Sequence, residues 1–414
     1  MNILFLTIID FESLEEKNLY TDLLREFKKN GHALYIISPV ERKKKIHTQL
    51  LDVDGVKILK LKIGNFQKTN FIEKGITTCL LESQFLKGIK KYFPNVRFDL
   101  ILYSTPPITF IKTLRFLRNR DGAYTYLMLK DIFPQNAVDL GVLKTQGITK
   151  WLYRYFRKKE KNLYAYSNKI GCMSQANINY MHNFNPFVNR NKLEICPNSI
   201  EPETMKVIGY QEICEIRKHY GIPIDKVVFI YGGNLGEPQG IPFLMQCIEA
   251  NEKEMDSFLL IVGDGTGYLK LNKYFQERLP YNAKLIKFLP SDQYKELVKA
   301  SDVGLIFLDY RFTIPNFPSR LLSYLECGMP VLASTDKNTD IGKVIEDGGF
   351  GKWCSSDSVE DFIRCERELL NKELRDQYGF FARKYLEENY SVEISYQTII
   401  NAVGRKSCLK TKRY

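Results

Sequence analysis

A proline-flanked helix pattern that ends at Gly328 carries a serine and an arginine at its start. Pro315 and Pro318 predict that the helix begins near Pro318, with Ser319 and Arg320 in its first turn. Free backbone N–H groups, the positive end of the helix dipole and a guanidinium together favour a phosphate or diphosphate. A capped surface helix with a solvated arginine fits the same pattern.

A glycine-rich turn follows a predicted strand. The apolar run 227–231 leads into residues 232–240, Gly-Gly-Asn-Leu-Gly-Glu-Pro-Gln-Gly. Such a turn lets backbone amides approach a phosphate or a sugar closely. Its spacing matches neither a dinucleotide fingerprint nor a Walker A loop, so both of those classes are disfavoured. Residues 263–267 are either a similar loop or a plain tight turn.

Two aspartates have a spacing that a divalent cation could use. Asp52 and Asp54 are separated by one residue, but Asp54-Gly55 is also a strong hairpin signal. The sequence therefore predicts a turn at this position.

Composition predicts a folded protein of two or three domains. The chain has 414 residues, 44% of them hydrophobic, with nine scattered cysteines and four histidines. The cysteine pattern disfavours a zinc site or a disulfide framework and suits a reducing cytosol. The apolar N-terminus predicts a buried strand instead of a signal peptide.

Positive charge is concentrated in one stretch of the first half. The net charge is +12, and residues 112–161 contain twelve Lys or Arg against four acidic residues. Such a surface attracts nucleic acid, anionic lipid or a phosphorylated substrate. Residues 151–164 mix aromatics with cations, as interfacial helices do. A helix packed on the core with a charged outer face is the alternative.

Strand patterns alternate with amphipathic helices along the whole chain, which predicts an α/β protein with parallel sheets. The pattern restarts after the turn-rich segment 195–202, so we expect two doubly wound domains joined near residue 200. The predicted strands are 3–9, 33–38, 56–61, 100–103, 124–129, 169–172, 227–231, 258–262, 283–288, 303–307 and 331–333.

The order of motifs in the second half resembles the nucleotide-sugar domain of GT-B glycosyltransferases of family 4. These motifs are the glycine loop, Gly263-Asp-Gly, Lys287-Phe-Leu-Pro, Ser301-Asp-Val-Gly-Leu and Pro318-Ser-Arg. The first half resembles the acceptor domain of the subgroup that builds capsular, exopolysaccharide and O-antigen units. Its motifs are Tyr103-Ser-Thr-Pro-Pro, Lys130-Asp-Ile-Phe-Pro and Pro197-Asn-Ser-Ile-Glu.

The resemblance implies a GT-B fold, in which two Rossmann-like domains face each other across a cleft. We expect an acceptor domain over 1–200, a nucleotide-sugar domain over 201–385, and a final helix with a basic tail over 386–414 that packs back on the first domain. The implied reaction is retaining transfer of a sugar, an N-acetylated hexose, from a UDP-sugar to a lipid-linked saccharide. No metal is expected, because cations stabilise the leaving diphosphate.

The resemblance also assigns the donor-binding residues, with Arg320 as a catalytic cation. The set is Gly233, Asn234, Gly236, Gln239, Lys287, Phe288, Pro318, Ser319, Arg320 and Ser323. Many relatives carry a Glu-x7-Glu pair, but Pro315 and Ser323 occupy those positions here. Glu326 lies one helical turn further on and replaces the missing carboxylate only if helix or nucleotide shifts. The Arg/Lys pair that some relatives have after the glycine loop is also missing, and Gln239 lies in that neighbourhood.

On the acceptor side, a His or Asp of the resembling families lies by the reacting sugar, and Asp131 matches that position. Its carboxylate would bind the acceptor hydroxyl or steady positive charge at the anomeric carbon. A helix-capping aspartate is the alternative. Lys17 and Asn18, in the loop after the first strand, are further acceptor-binding candidates.

The expected partners are a nucleotide-sugar donor, a lipid-linked acceptor and an anionic membrane surface, with no nucleic acid. The expected location is the cytoplasm, at the inner face of the plasma membrane. Two other functions remain open. One is a non-catalytic GT-B partner that binds a nucleotide sugar, favoured by the missing Glu pair. The other is a GT-B epimerase, which the low histidine count disfavours.

Overall fold

A computed structural model describes residues 1–10, 12–65, 71–147, 150–205 and 208–411. The chain divides into two compact units. The first contains Met1–Glu201 and Ser391–Tyr414, and the second contains Pro202–Tyr390. The divisions predicted from the sequence lie at 200/201 and 385/386.

The first unit contains, within its described residues, an eight-stranded sheet in the order β3-β4-β2-β1-β5-β6-β7-β8. All neighbouring strands are parallel except β3 and β4. Its strands are β1 Asn2–Leu6, β2 Ala33–Glu41, β3 Gln49–Val53, β4 Val56–Ile63, β5 Leu100–Ser104, β6 Tyr124–Leu129, β7 Lys169–Cys172 and β8 Leu193–Ile195.

The second unit contains, in the part that the structure describes, a six-stranded parallel sheet in the order β11-β10-β9-β12-β13-β14. Its strands are β9 Val227–Asn234, β10 Ser257–Asp264, β11 Ala283–Ile286, β12 Val303–Phe307, β13 Val331–Thr335 and β14 Gly351–Ser355. The prediction of an α/β protein with two parallel sheets is confirmed.

Helices connect the strands in both units, and none within the described ranges has the length and apolarity needed to cross a membrane. They are α1 Leu19–Lys29, α2 Phe71–Tyr92, α3 Ile111–Asp121, α4 Gln135–Asp139, α5 Lys150–Tyr166, α6 Gln175–Phe184, α7 Tyr210–His219, α8 Ile241–Asn251, α9 Tyr268–Arg278, α10 Ser291–Lys299, α11 Arg320–Glu326, α12 Ile341–Asp347, α13 Val359–Glu368, α14 Lys372–Asn389 and α15 Val392–Thr411.

The last helix belongs to the first unit. α15 packs against α1, and the Tyr396 ring lies edge-on to the Phe27 ring with centroids 5.0 Å apart. Tyr396, Ile399 and Ala402 join the same apolar cluster as β1, β5 and β6. Residues far apart in sequence therefore complete one core.

The hairpin at Asp54-Gly55 is confirmed. Asp54 has φ 49° and Gly55 has φ 78°, the left-handed pair that tightens a two-residue turn. Val53 pairs with Val56 across it. The Asp52 carboxylate accepts a hydrogen bond from Lys57 Nζ at 2.6 Å, so it belongs to the hairpin.

Several predicted bounds were wrong. β1 ends at Leu6 instead of residue 9, and β11 ends at Ile286 instead of residue 288. Three strands were not predicted, namely β3, β8 and β14, which are short strands of three to five residues containing charged or small residues.

The helix predicted from Pro318 begins two residues later. α11 spans seven residues from Arg320, and the Ser319 side chain makes no capping bond. The Pro318 carbonyl accepts a hydrogen bond from the Leu321 N–H, which makes a tight turn before the helix. A helix of two turns has few aligned peptide dipoles. Phosphate binding at this position would therefore depend mainly on the Arg320 guanidinium.

Candidate functional site

The glycine loop 232–240 begins with the last three residues of β9 and is held by its own polar groups. The Tyr231 hydroxyl donates to the carbonyl of Asn234 at 2.7 Å. Gln239 Oε1 accepts hydrogen bonds from Asn234 Nδ2 at 3.1 Å and from the Gly236 N–H at 3.0 Å. Gly233 has φ 125°, a conformation that side chains disfavour. These hydrogen bonds hold the loop, and Gly233 and Asn234 are exposed on it.

Arg320 meets this loop from α11. Its guanidinium carbon lies 4.1 Å from the centroid of the Tyr231 ring. A Cβ built on Gly233 would lie 3.4 Å from Arg320 Nη2, so this exposed glycine lies against the cation. The structure thus brings together two of the features on which the donor-site prediction rests.

The guanidinium of Arg320 carries an unmatched charge. Its Nη1 atom is buried and has no hydrogen-bond partner among the described residues. No carboxylate among the described residues forms an ion pair with the Arg320 guanidinium. Nearby Arg311 differs, because Asp309 binds it in bidentate fashion at 2.8 and 2.7 Å. A buried donor without a partner is costly, and an anionic ligand would satisfy it.

The second predicted cation occupies a more solvated position. Lys287 and Phe288 follow β11, and both are exposed, Phe288 at 70%. The Lys287 ammonium lies 5.5 Å from the ring centroid of Tyr268. Solvent screens such a charge far more than the buried guanidinium of Arg320.

Ser323 lies on the exposed face of α11 and lines a cavity of about 420 Å³ with Ser291, Tyr294 and Glu326. The Glu326 carboxylate accepts a hydrogen bond from the Glu203 N–H at 3.1 Å. Hydroxyl groups and acidic residues therefore line this side of the helix. Ser319 is exposed just before α11, and Pro318 is partly buried.

Asp131 follows β6 at the carboxyl end of the first sheet, the edge where open α/β sheets bind ligands. Asn136 Nδ2 donates to both carboxylate oxygens, at 2.8 and 2.7 Å. Burial raises the pKa of Asp131 to about 6. The helix-capping alternative is wrong, because Pro134 occupies the N-cap position of α4, and the carboxylate is bound by the Asn136 side chain and by the Ile132 backbone N–H.

The other two acceptor-side candidates have different surroundings. Asn18 Oδ1 accepts hydrogen bonds from the N–H groups of Tyr20 and Thr21 at 2.9 and 3.0 Å, and it caps α1. Lys17 is exposed immediately before it. The amide oxygen of Asn18 is therefore engaged in holding the helix start.

The groups that surround Asp131 and Arg320 were not predicted from the sequence. Burial lowers the pKa of Lys130, which immediately precedes Asp131, to about 8. Its place directly after a buried strand was the available signal. Tyr231 and Tyr294, near Arg320, carried no signal, because their approach depends on packing between distant segments.

Two Rossmann-like units built on parallel sheets are the architecture of a GT-B protein. HepE from Anabaena, solved in complex with UDP, superposes with a TM-score of 0.67 over 98% of this chain and 100% of that one. The two sequences are 15% identical, so the likeness shows the fold alone. The predicted GT-B fold is confirmed.

Residues 212–385 match the family model described as glycosyl transferases group 1. The probable glycosyltransferase WbjE of Pseudomonas aeruginosa is 25% identical over 337 residues, 81% of each chain. The putative colanic acid biosynthesis glycosyl transferase WcaI of Escherichia coli is 24% identical over 311 residues, 74% of each chain. Part of the second unit thus matches the glycosyl transferases group 1 model, and the chain is similar along most of its length to bacterial glycosyltransferases.

Proposed function

We propose that this protein is a retaining glycosyltransferase that moves a sugar, an N-acetylated hexose, from a UDP-sugar to a lipid-linked saccharide in surface polysaccharide biosynthesis. The observation that carries the donor half is the buried Nη1 atom of Arg320, which has no hydrogen-bond partner among the described residues and belongs to a guanidinium beside the glycine loop. The match to WcaI, whose name refers to colanic acid biosynthesis, supports the polysaccharide role.

Arg320 would bind the diphosphate of the donor. A guanidinium presents a planar fork of N–H groups that suits phosphate oxygens, and burial strengthens each charge-assisted hydrogen bond. As negative charge grows on the leaving diphosphate, this contact strengthens and lowers the barrier. Loop amides near Gly233 would contact the same ligand, and Ser323 would hydrogen-bond the ribose.

Asp131 would act at the reacting sugar. Its carboxylate is held by Asn136, and with a pKa of about 6 it is mostly ionised at neutral pH. In that form it would accept the proton of the acceptor hydroxyl or steady the positive anomeric carbon. In a retaining reaction, the diphosphate would depart and the acceptor hydroxyl would attack on the same face of the sugar.

Helix α5 would hold the enzyme at an anionic membrane surface, at the inner face of the plasma membrane. Trp151 is 68% exposed and Tyr155 is 38% exposed, whereas Leu163 and Tyr164 further along are buried. Exposed aromatic rings among lysines and arginines are typical of interfacial helices. The lipid-linked acceptor would be met at this surface.

The test measures binding and turnover of the same protein. UDP, GDP and ADP are titrated calorimetrically, and UDP release is followed from UDP-N-acetylhexoses with a bacterial lipid extract as acceptor. We expect selective UDP binding that weakens about 10- to 150-fold in Arg320→Ala, the loss of one charge-assisted hydrogen bond. Arg311→Ala is the matched control, because Asp309 already neutralises that arginine.

Equal losses in both arginine variants would refute the donor site. UDP binding without release of UDP from any donor would instead favour the non-catalytic GT-B partner. The replacement of the Glu-x7-Glu positions by Pro315 and Ser323 is the observation that keeps this second function open.

A further inference from the structure

Asn136 lies in the short helix α4 and binds the Asp131 carboxylate through its side chain. Its Nδ2 atom lies 2.8 Å from Oδ1 and 2.7 Å from Oδ2 of Asp131. Its own Oδ1 atom accepts a hydrogen bond from the Ala137 N–H at 2.7 Å. This second bond fixes the orientation of the amide, because the oxygen takes a backbone donor and leaves the nitrogen to face the carboxylate. Both carboxylate oxygens therefore meet a hydrogen-bond donor.

Thr105 holds the main chain of Asp131 from a neighbouring strand. The Thr105 hydroxyl donates to the Asp131 carbonyl at 2.8 Å and accepts from the Asp131 N–H at 3.2 Å. Thr105 directly follows β5, which pairs with β6, and its side chain is buried. The main chain of Asp131 is thus fixed at the edge of the sheet, and its side chain is fixed by α4.

Charged side chains do not neutralise the Asp131 carboxylate. The segment 105–110, which follows β5, contains none. The charged residue of α4 is Asp139, and Gln135 Nε2 donates to its carboxylate at 2.8 Å. Lys130 precedes Asp131 but forms no ion pair with it in the described part of the chain. The carboxylate therefore depends on uncharged partners.

An amide donor that faces both oxygens favours the ionised form of a carboxyl group, because a protonated oxygen is a donor itself. Burial acts in the opposite direction and raises the pKa of Asp131, whereas the Asn136 amide and the Ile132 N–H lower it. A carboxyl group has to be ionised to accept a proton or to face a positive carbon. Asn136 thus supports the form of Asp131 that the proposed reaction uses.

We propose that Asn136 is a positioning residue that orients the Asp131 carboxylate and keeps it ionised for sugar transfer. The inference rests on the proposed function, because it takes Asp131 as the group at the reacting sugar. It adds that Asn136 sets the lower pH limit of the reaction. Asn136 acts through Asp131 and has no contact of its own with the substrates.

The test compares two amides of α4 that bind different carboxylates. Asn136→Leu removes the donor from Asp131 and nearly keeps the size of the side chain. Gln135→Leu is the matched control, because it removes an amide from Asp139 in the same helix. The rate of UDP release from a UDP-N-acetylhexose, with a bacterial lipid extract as acceptor, is measured from pH 5 to pH 9. Calorimetry gives the Kd of UDP.

We expect the acidic limb of the rate profile to move upward by about one to two pH units in Asn136→Leu. A hydrogen bond to a charged group changes an ionisation equilibrium by about 10- to 150-fold, which corresponds to a shift of that size. The Kd of UDP should not change, because the proposed donor residues lie in the second unit. Gln135→Leu should change neither quantity. An acidic limb that stays in place in Asn136→Leu, or moves equally in both variants, would overturn the inference.

Asn136→Asp provides a second variant, should Asn136→Leu not fold. It keeps the shape of the side chain and places two carboxyl groups against each other, which raises the pKa of one of them. The acidic limb should therefore move upward in this variant as well. A profile that matches the wild type would contradict the positioning role.

Urea unfolding separates the failure of this inference from the failure of the proposed function. If the wild type releases no UDP from any donor, the proposed function fails, and stability still reports the contact between Asn136 and Asp131. Asn136→Leu should lose more stability at pH 8 than at pH 5, because the lost bond favours the ionised carboxylate. The difference should vanish when Asp131 is also replaced by asparagine. An equal loss at both pH values would overturn the inference.

Discussion

Replacement of Asp131 by asparagine should stabilise the protein at alkaline pH while it abolishes most activity. Burial raises the pKa of this carboxyl from its usual 3.8 to about 6. The folded state therefore disfavours the ionised form, and the free energy of unfolding falls as pH rises from about 4 to 6. Asparagine has no charge to bury, so Asp131→Asn escapes this loss.

The size of the effect follows from the shift of about two pKa units. Each unit corresponds to about 1.4 kcal/mol, so Asp131→Asn should gain about 3 kcal/mol at pH 8. At pH 5 most of the folded carboxyl is protonated, and the gain should shrink to about half of that value. Turnover should fall about 100-fold, the contribution of a positioned acid or base.

The assay is urea unfolding at pH 5 and pH 8, with UDP release measured on the same preparations. Asp121→Asn is the matched control from the same unit, because Arg120 and Arg97 contact that carboxylate at 2.6 and 3.1 Å. These partners outweigh the effect of burial and lower the pKa of Asp121. Asp121→Asn should therefore be less stable than the wild type at pH 8, whereas Asp131→Asn should be more stable.

Two outcomes would refute the reasoning about Asp131. One is a gain in stability that is the same at pH 5 and pH 8, which would show that charge burial is not its cause. The other is a stabilised Asp131→Asn variant with full turnover, which would remove the carboxylate from the reaction.

Two further predictions concern other parts of the chain. Trp151→Ala should weaken binding to vesicles that contain anionic lipid by roughly threefold to tenfold, because an exposed apolar ring is lost from α5. Co-sedimentation measures this, and Tyr281→Ala in the second unit, which is 59% exposed, should bind like the wild type. Burial raises the pKa of Glu366 to about 8, so the free energy of unfolding of the second unit should fall as pH rises from about 4.5 to 8. Glu366→Gln should remove that slope in urea unfolding between pH 5 and pH 9, and an unchanged slope would contradict the assignment.

Strand periodicity predicted most of the fold because the central strands are continuous apolar runs. β6 and β12 were placed with their observed bounds, and every residue in them is buried. β3 and β14 were missed because strands of mixed polarity pair only where a neighbour fixes their register. The start of α11 was misplaced because Pro318 forms a turn before the helix, and local sequence does not separate these two roles of proline.

For the candidate site, the sequence indicated which residues take part better than it indicated their burial and their neighbours. Arg320 and the glycine loop were both recognised, and they lie together. Both Arg320 and Lys287 were predicted to bind the donor, and their different exposure was not predicted, because burial is a property of the folded chain. The glycine-rich turn was interpreted as letting a ligand approach, whereas the structure gives the space at Gly232 to the side chain of Tyr294 from α10. Only long-range packing determines such a pairing.

The contribution of α15 to the first unit has a consequence for biosynthesis. Tyr396, Ile399 and Ala402 are buried in a core whose other members are made before the second unit is translated. During synthesis, apolar surface on α1 therefore stays exposed until the second unit has been translated and α15 can pack against it. Cutting the gene after residue 201 would therefore yield a fragment that aggregates, whereas residues 202–390 form a continuous segment suited to separate expression.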